Sequence, residues 1–214
     1  PLAAAPAGGE RVTLRAEQCF FRASDGALIH FDVRDAATAR GVLVFVHGLG
    51  EHFAKYEEWL SYAVGRAYHV AAIDQRGHGR TPGKRGDFAF DDLVGDLERF
   101  VEVMVERWPD LPLFVVAHSL GALVTLRWAA GGVPPGVRGA VLSSPPLGIV
   151  EDVPRWKRSL FRTLARAAPR ISLPRRPVVE KLTADPERIE AWRRDPLRHG
   201  KITPRALVGI GEAI

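Results

Sequence analysis

Val115-Val116-Ala117-His118-Ser119-Leu120-Gly121-Ala122 decides the fold: a β-branched run leads through a small-x-Ser-x-Gly turn straight into a helix-forming stretch. So tight a turn strains the serine backbone and lifts Oγ clear of the sheet edge. It tolerates only small residues two positions before and after, a need that Ala117 and Gly121 meet. A helix starting there aims its first amides and its positive dipole end at any oxygen that gathers charge beside the serine. The stretch therefore predicts Ser119 as a nucleophile and the Leu120 amide as an oxyanion donor, with His118 and Gly121 supporting the turn.

Working outward, Val42–Val46 and His69–Ile73 are further continuous apolar runs, and residues 113–116 and 139–142 complete a set of four. Such runs suit strands buried on both faces, as in a parallel sheet. Residues 56–67, the apolar face Leu93, Leu97, Phe100, Val101, Met104, Val105 and Trp108 capped near Asp91, and Leu120–Ala130 read as intervening helices. Residues 19–23 and 28–33, joined by Ser24-Asp25-Gly26, predict a β-hairpin. Strands alternating with helices at this spacing give a mostly parallel α/β sheet with right-handed crossovers. After Ser143-Ser144-Pro145-Pro146 the alternation stops, and residues 151–214 hold proline-bounded helical segments with no convincing buried strand. The expected organisation is a lead-in tail over 1–17, an α/β core over 18–150 and a helical cap over 151–214.

At 214 residues and 46% hydrophobic content the chain can bury a single core. No apolar run approaches the roughly twenty residues that cross a bilayer, and residues 1–9 lack the charged start and apolar stretch of a signal peptide. A cytoplasmic protein with at most peripheral membrane contact is expected. The single Cys19 excludes an internal disulfide and a cysteine-ligated cluster. Acidic and basic side chains nearly balance over residues 1–150, so the net charge of +5 belongs to the last segment. Its cations are overwhelmingly arginine, which a genome rich in G and C explains as well as an anionic polymer does, and no nucleic-acid partner is expected.

The loop His47-Gly48-Leu49-Gly50-Glu51-His52 leaves the first of the buried runs. Its glycines let the backbone fold back so that the Leu49 amide faces the same oxygen as the Leu120 amide, with His47 and Gly48 as supports. His47 and His52 have no third ligand spaced to join them, so neither metal nor cofactor is expected, and Glu51 and His52 are read as loop braces. Asp74-Gln75-Arg76-Gly77-His78-Gly79-Arg80-Thr81 leaves the second run as a tight loop whose Asp74, Arg76 and His78 are expected to support the base of the site.

HGLGEH followed by Tyr56, DQRGHGRT with Gly83, Arg85 and Gly86, Leu111-Pro112, AHSLGA and Ser144-Pro145 resemble, in order and spacing, the monoacylglycerol lipase and lysophospholipase-like branch of the α/β-hydrolases, a serine aminopeptidase S33-type family. Ala117 departs from the glycine usual in the family, and Thr81 from serine. The resemblance implies hydrolysis of single-chain acylglycerols or lysophospholipids by Ser119, with Leu49 and Leu120 amides as oxyanion donors and a lid over the site. A proline-type aminopeptidase or amidase on the same fold, and a non-catalytic binding member, are the alternatives.

A serine needs a histidine to take its proton and a carboxylate to orient that histidine. Downstream of Ser119 the sole histidine is His199, preceded by Asp195, and no predicted strand leads into either. The triad acid and base are therefore expected in strand-helix units absent from these residues, and the chain alone is expected to be nearly inactive. Over residues 153–170, Trp156, Leu160, Phe161 and Leu164 fall at helical spacing among Arg155, Lys157, Arg158, Arg162 and Arg166. That basic amphipathic helix predicts either a cover packed on the core or contact with an anionic membrane.

Overall fold

A computed structural model describes residues 19–148, 154–175, 179–181 and 183–214. The expected tail over 1–17 lies outside them. Strands β1 (Cys19–Arg22), β2 (Leu28–Arg34), β3 (Val42–Val46), β4 (His69–Ile73), β5 (Leu113–His118) and β6 (Val137–Ser143) form one sheet in the order β1-β2-β4-β3-β5-β6. The β1–β2 hairpin and the β2–β4 pair are antiparallel, while β3 runs parallel to β4 and β5, and β5 to β6. The carboxyl ends of β4, β3 and β5 thus lie side by side, and the three loops singled out in the sequence leave from that one edge.

Helices α1 (Glu57–Gly65), α2 (Phe90–Arg107) and α3 (Leu120–Ala130) cover the sheet. Val42, Val44 and Val46 of β3 join Ala71 and Ile73 of β4 in a core with Leu93, Leu97, Phe100, Met104, Leu123 and Val124. The alternate residues Phe45, Val70 and Ala72 pack in a second core with Leu60 and Ala63 of α1. Burial on both faces explains why the strands read as unbroken apolar runs, each fully buried Val or Leu contributing roughly 1.5–3 kcal/mol. The helix expected over 56–67 is shorter, because a 3-10 turn over Phe53–Tyr56 precedes it and Ala67, at φ 64°, turns the chain toward β4. β6 forms an edge of the sheet among the described residues, with Val141 61% exposed.

The remaining residues hold α4 (Arg155–Ala167), α5 (Pro186–Arg194), α6 (Pro204–Ala213) and a ribbon of β7 (Leu173–Pro174) antiparallel to β8 (Lys201–Ile202). To the helices expected here the structure adds the ribbon, whose two-residue strands are too short to show a period in the sequence. Ile202 nevertheless reaches the larger core. Helix α4 is shorter than expected, since Ala168 precedes Pro169 and leaves the helical region at φ −144°; Val153 lies outside the described residues. Helix α6 packs against α4 and α2, and its Gly209 admits the backbone of Phe90, 3.4 Å from where a Cβ would stand.

Candidate active site

Ser119 stands between β5 and α3 with φ 49° and ψ −113°, a conformation that L residues rarely adopt and that costs of order 1–3 kcal/mol. The surroundings hold it there. Its N–H donates to the Ser143 carbonyl at 2.9 Å and its carbonyl accepts from Leu123 N at 3.1 Å. A Cβ on Gly121 would lie 2.5 Å from the Val46 carbonyl oxygen and 2.6 Å from that of His47, so β3 and α3 approach through a glycine. Ala117 is buried, and His118 Nδ1 lies 3.2 Å from Ser143 Oγ. Ser119 Oγ has no hydrogen-bond partner among the described residues.

The loop after β3 presses on this turn. A Cβ on Gly48 would stand 3.2 Å from Ser119 Cβ, 3.3 Å from His118 Cδ2 and 2.8 Å from Glu51 Oε1. Glu51 accepts from Gly48 N at 2.8 Å, Tyr56 Oη at 2.6 Å and Lys55 Nζ at 2.5 Å. Burial alone would raise its carboxyl, but the charge and hydrogen bond of Lys55 and the Tyr56 hydroxyl override burial and hold it at about 2. Glu51 is therefore an ionised brace. His47 is fully buried, its Nε2 accepting from Gln75 N at 3.0 Å, which leaves Nδ1 to donate to the Gly48 carbonyl at 2.8 Å. Burial lowers its pKa and keeps it neutral. Among the described residues no three His, Cys, Asp or Glu side chains are placed to hold a metal ion.

The loop after β4 supports the base from below. Asp74 accepts from His30 Nδ1 at 2.9 Å, Phe53 N at 3.1 Å and Arg80 N at 2.9 Å. The His78 ring packs between those of His47 and His199, at centroid distances of 5.3 and 4.9 Å. Arg76 is engaged elsewhere, by Asp96 and Asp25.

Asp195 and His199 are not brought together with Ser119 as a relay. His52 Nε2 meets Asp195 Oδ2 at 2.6 Å, whereas His199 sits against His78 and accepts from Lys201 N at 3.3 Å. Sequence reasoning missed what the ribbon carries to the loop: Arg175 Nη2 donates to the Leu49 carbonyl at 3.1 Å and His199 N to the Gly50 carbonyl at 3.2 Å. No local pattern signals these contacts, because each joins segments more than a hundred residues apart. Chemically, the edge offers a strained hydroxyl flanked by a helix N-terminus and a glycine loop, the arrangement suited to attack on a carbonyl.

Such a turn, set in a mostly parallel sheet flanked by helices, is the construction of the α/β-hydrolases. Residues 37–214 match the family described as Serine aminopeptidase, S33, and the chain belongs to it. It is 33% identical over 206 residues to Monoacylglycerol lipase of Mycolicibacterium smegmatis, covering 91% of this chain and 71% of that protein. To Phospholipase YtpA of Bacillus subtilis it is 28% identical over 165 residues, 77% of this chain and 63% of that one. The crystal structure of Paleococcus ferrophilus monoacylglycerol lipase superimposes with a TM-score of 0.74 at 29% identity, covering 86% of this chain and 69% of that one.

Proposed function

We propose that the complete protein hydrolyses carboxylic esters of single-chain lipids, monoacylglycerol or lysophospholipid in type, through an acyl-enzyme on Ser119. The strained backbone of Ser119 carries the reading, since such strain persists at sites where it serves function. Ser119 Oγ attacks the ester carbonyl carbon and gives up its proton to a histidine, and the charge on the carbonyl oxygen is received by the Leu49 and Leu120 amides. The C–O bond then breaks, the alcohol leaves with that proton, and water releases the fatty acid by the same steps. The acid and base of the relay come from chain outside these residues. The engagement of Asp195 with His52 and the open β6 edge support that assignment. Residues 151–214 act as the cap.

Helix α4 supports a peripheral role on anionic membranes. Phe161 and Leu164 are half-buried, whereas Trp156 and Leu160 are 64% and 48% exposed, so the apolar stripe is not spent on the core. Each arginine near an anionic surface contributes about 1 kcal/mol. The test of the activity is fatty-acid release by the complete protein from 1-acylglycerols and lysophospholipids, beside proline-terminated peptide amides; peptide cleavage without ester turnover would overturn it. For the membrane, sedimentation with anionic vesicles should exceed that with neutral ones and fall with salt and with Trp156→Ser/Leu160→Ser; equal partition onto both, or none, would contradict it.

A further inference from the structure

Four successive peptide units of the loop after β3 are held, and by two different parts of the chain. The first two are held from the sheet edge and from the loop itself. Gln75 Nε2 donates to the His47 carbonyl at 2.6 Å, Gly48 N donates to Glu51 at 2.8 Å, and His47 Nδ1 donates to the Gly48 carbonyl at 2.8 Å. In a trans unit the N–H points opposite to the C=O, so the hold on the Gly48 carbonyl aims the Leu49 N–H away from His47. The next two units are held by the segment after β6. Arg175 Nη2 donates to the Leu49 carbonyl at 3.1 Å and His199 N to the Gly50 carbonyl at 3.2 Å. Both donors sit on the β7–β8 ribbon, where Arg175 N donates to the Gly200 carbonyl at 2.7 Å.

Guanidinium forks match carboxylates best, yet Arg175 is placed on a backbone carbonyl. Its guanidinium makes that one hydrogen bond among the described residues, and its Nε is buried without a partner. Burial disfavours its charge, and the Glu51 carboxylate, which holds Gly48 N in the same loop, favours it. The approach is close. A Cβ on Gly50, at φ 78°, would stand 2.7 Å from Arg175 Nη2 and 2.7 Å from the His199 carbonyl oxygen, so the ribbon lies against the loop where there is no side chain. Two residues earlier the loop meets the nucleophile, since a Cβ on Gly48 would stand 3.2 Å from Ser119 Cβ. The Leu49 amide falls between these two contacts. A donor serves an oxyanion only near hydrogen-bond distance, and misplacement by roughly 1 Å can cost about 10²-fold in rate.

We propose that Arg175 is a positioning residue for the oxyanion hole: by holding the Leu49 carbonyl it keeps the Leu49 amide aimed at the ester oxygen. The hole is then complete only while the ribbon lies on the loop. This rests on the reading of Ser119 as nucleophile and of the Leu49 amide as oxyanion donor. The complete protein is assayed on a p-nitrophenyl ester in the wild type, Arg175→Met and Arg175→Lys. Methionine keeps much of the apolar stem and removes the donor, whereas lysine returns one donor to the same carbonyl. In Arg175→Met kcat should fall about tenfold with KM moved by less than about twofold, and Arg175→Lys should recover part of the loss. Inhibition by a trifluoromethyl ketone of matched chain, whose adduct on Ser119 carries the same oxyanion, should weaken about tenfold in Arg175→Met. The corresponding secondary alcohol forms no adduct and should bind all three proteins alike. Should Arg175→Met fail to fold, Arg175→Lys carries the test, with kcat about threefold below wild type and alcohol binding unchanged. Unchanged kcat in the variants, no recovery in Arg175→Lys, or equal weakening of ketone and alcohol, the mark of a merely structural role, would overturn the proposal. Absence of ester turnover in the wild type is failure of the nucleophile reading and overturns the proposal with it; wild-type turnover with unmoved variants overturns the proposal alone.

Discussion

At Ser119 the backbone is held at φ 49° by the Ser143 carbonyl in front and the first turn of α3 behind, and the space for this is cleared by Gly121. Ser119→Ala should lower ester turnover by three orders of magnitude or more while leaving the melting curve nearly unchanged, since alanine fits the turn but carries no nucleophile. Retained activity would contradict the role of the hydroxyl. Gly121→Val places a Cβ 2.5 and 2.6 Å from the carbonyl oxygens of Val46 and His47, a collision with backbone that should cost more than about 3 kcal/mol and yield insoluble protein. Wild-type yield and melting temperature would show that β3 and α3 do not meet as described. At this scale the sequence was legible wherever the chemistry is local. The strain at Ser119 and the small residues flanking it lie within a few positions of one another, as do the glycines of the loop after β3. The contacts of Arg175 and His199 with that loop were not legible, because each joins positions more than a hundred residues apart.

Among elements, two of the contacts that fasten the segment after β6 to the core involve Asp87 and His199. Buried Asp87 accepts from Arg205 Nε at 2.7 Å, Arg170 Nε at 2.8 Å and Thr203 Oγ1 at 3.2 Å. Asp87→Asn removes the charge that both arginines share; with Arg170 largely exposed, the cost should be about 1–3 kcal/mol. Hydrogen exchange should quicken over residues 170–175 and 201–207 and not over α2; uniform exchange would show that Asp87 does not hold the segment. The second fastening is His199 against His78. Burial, with the charges of Arg85 and Arg175, lowers the His199 pKa from 6.5 to about 4. Between those values the unfolded chain binds a proton that the folded site refuses, so the contribution is complete above about pH 6.5 and is lost as pH falls toward 4. Melting temperatures at pH 7.5 and 5 should therefore fall further in the wild type than in His199→Gln, and equal falls would contradict the neutral seat. The β3–α3 elements were read from hydropathy alone, whereas the ribbon that positions His199 escaped because two residues carry no period.

For the whole molecule, the order β4-β3-β5 brings to one edge three loops spread over residues 47–121, and the sequence disclosed each loop without showing that their ends meet. Continuous apolar runs implied a sheet covered on both faces, but which residues of each run face which of the two cores was not visible in the sequence. Among the described residues the same architecture leaves β6 at an edge of the sheet. The central claim is that Ser119 is the nucleophile. Its most direct test is a fluorophosphonate probe reacted with the complete protein, followed by mass-spectrometric mapping of the adduct. One covalent adduct on the peptide bearing Ser119, absent in Ser119→Ala, is the predicted result; no adduct, or an adduct on any other residue, would contradict it.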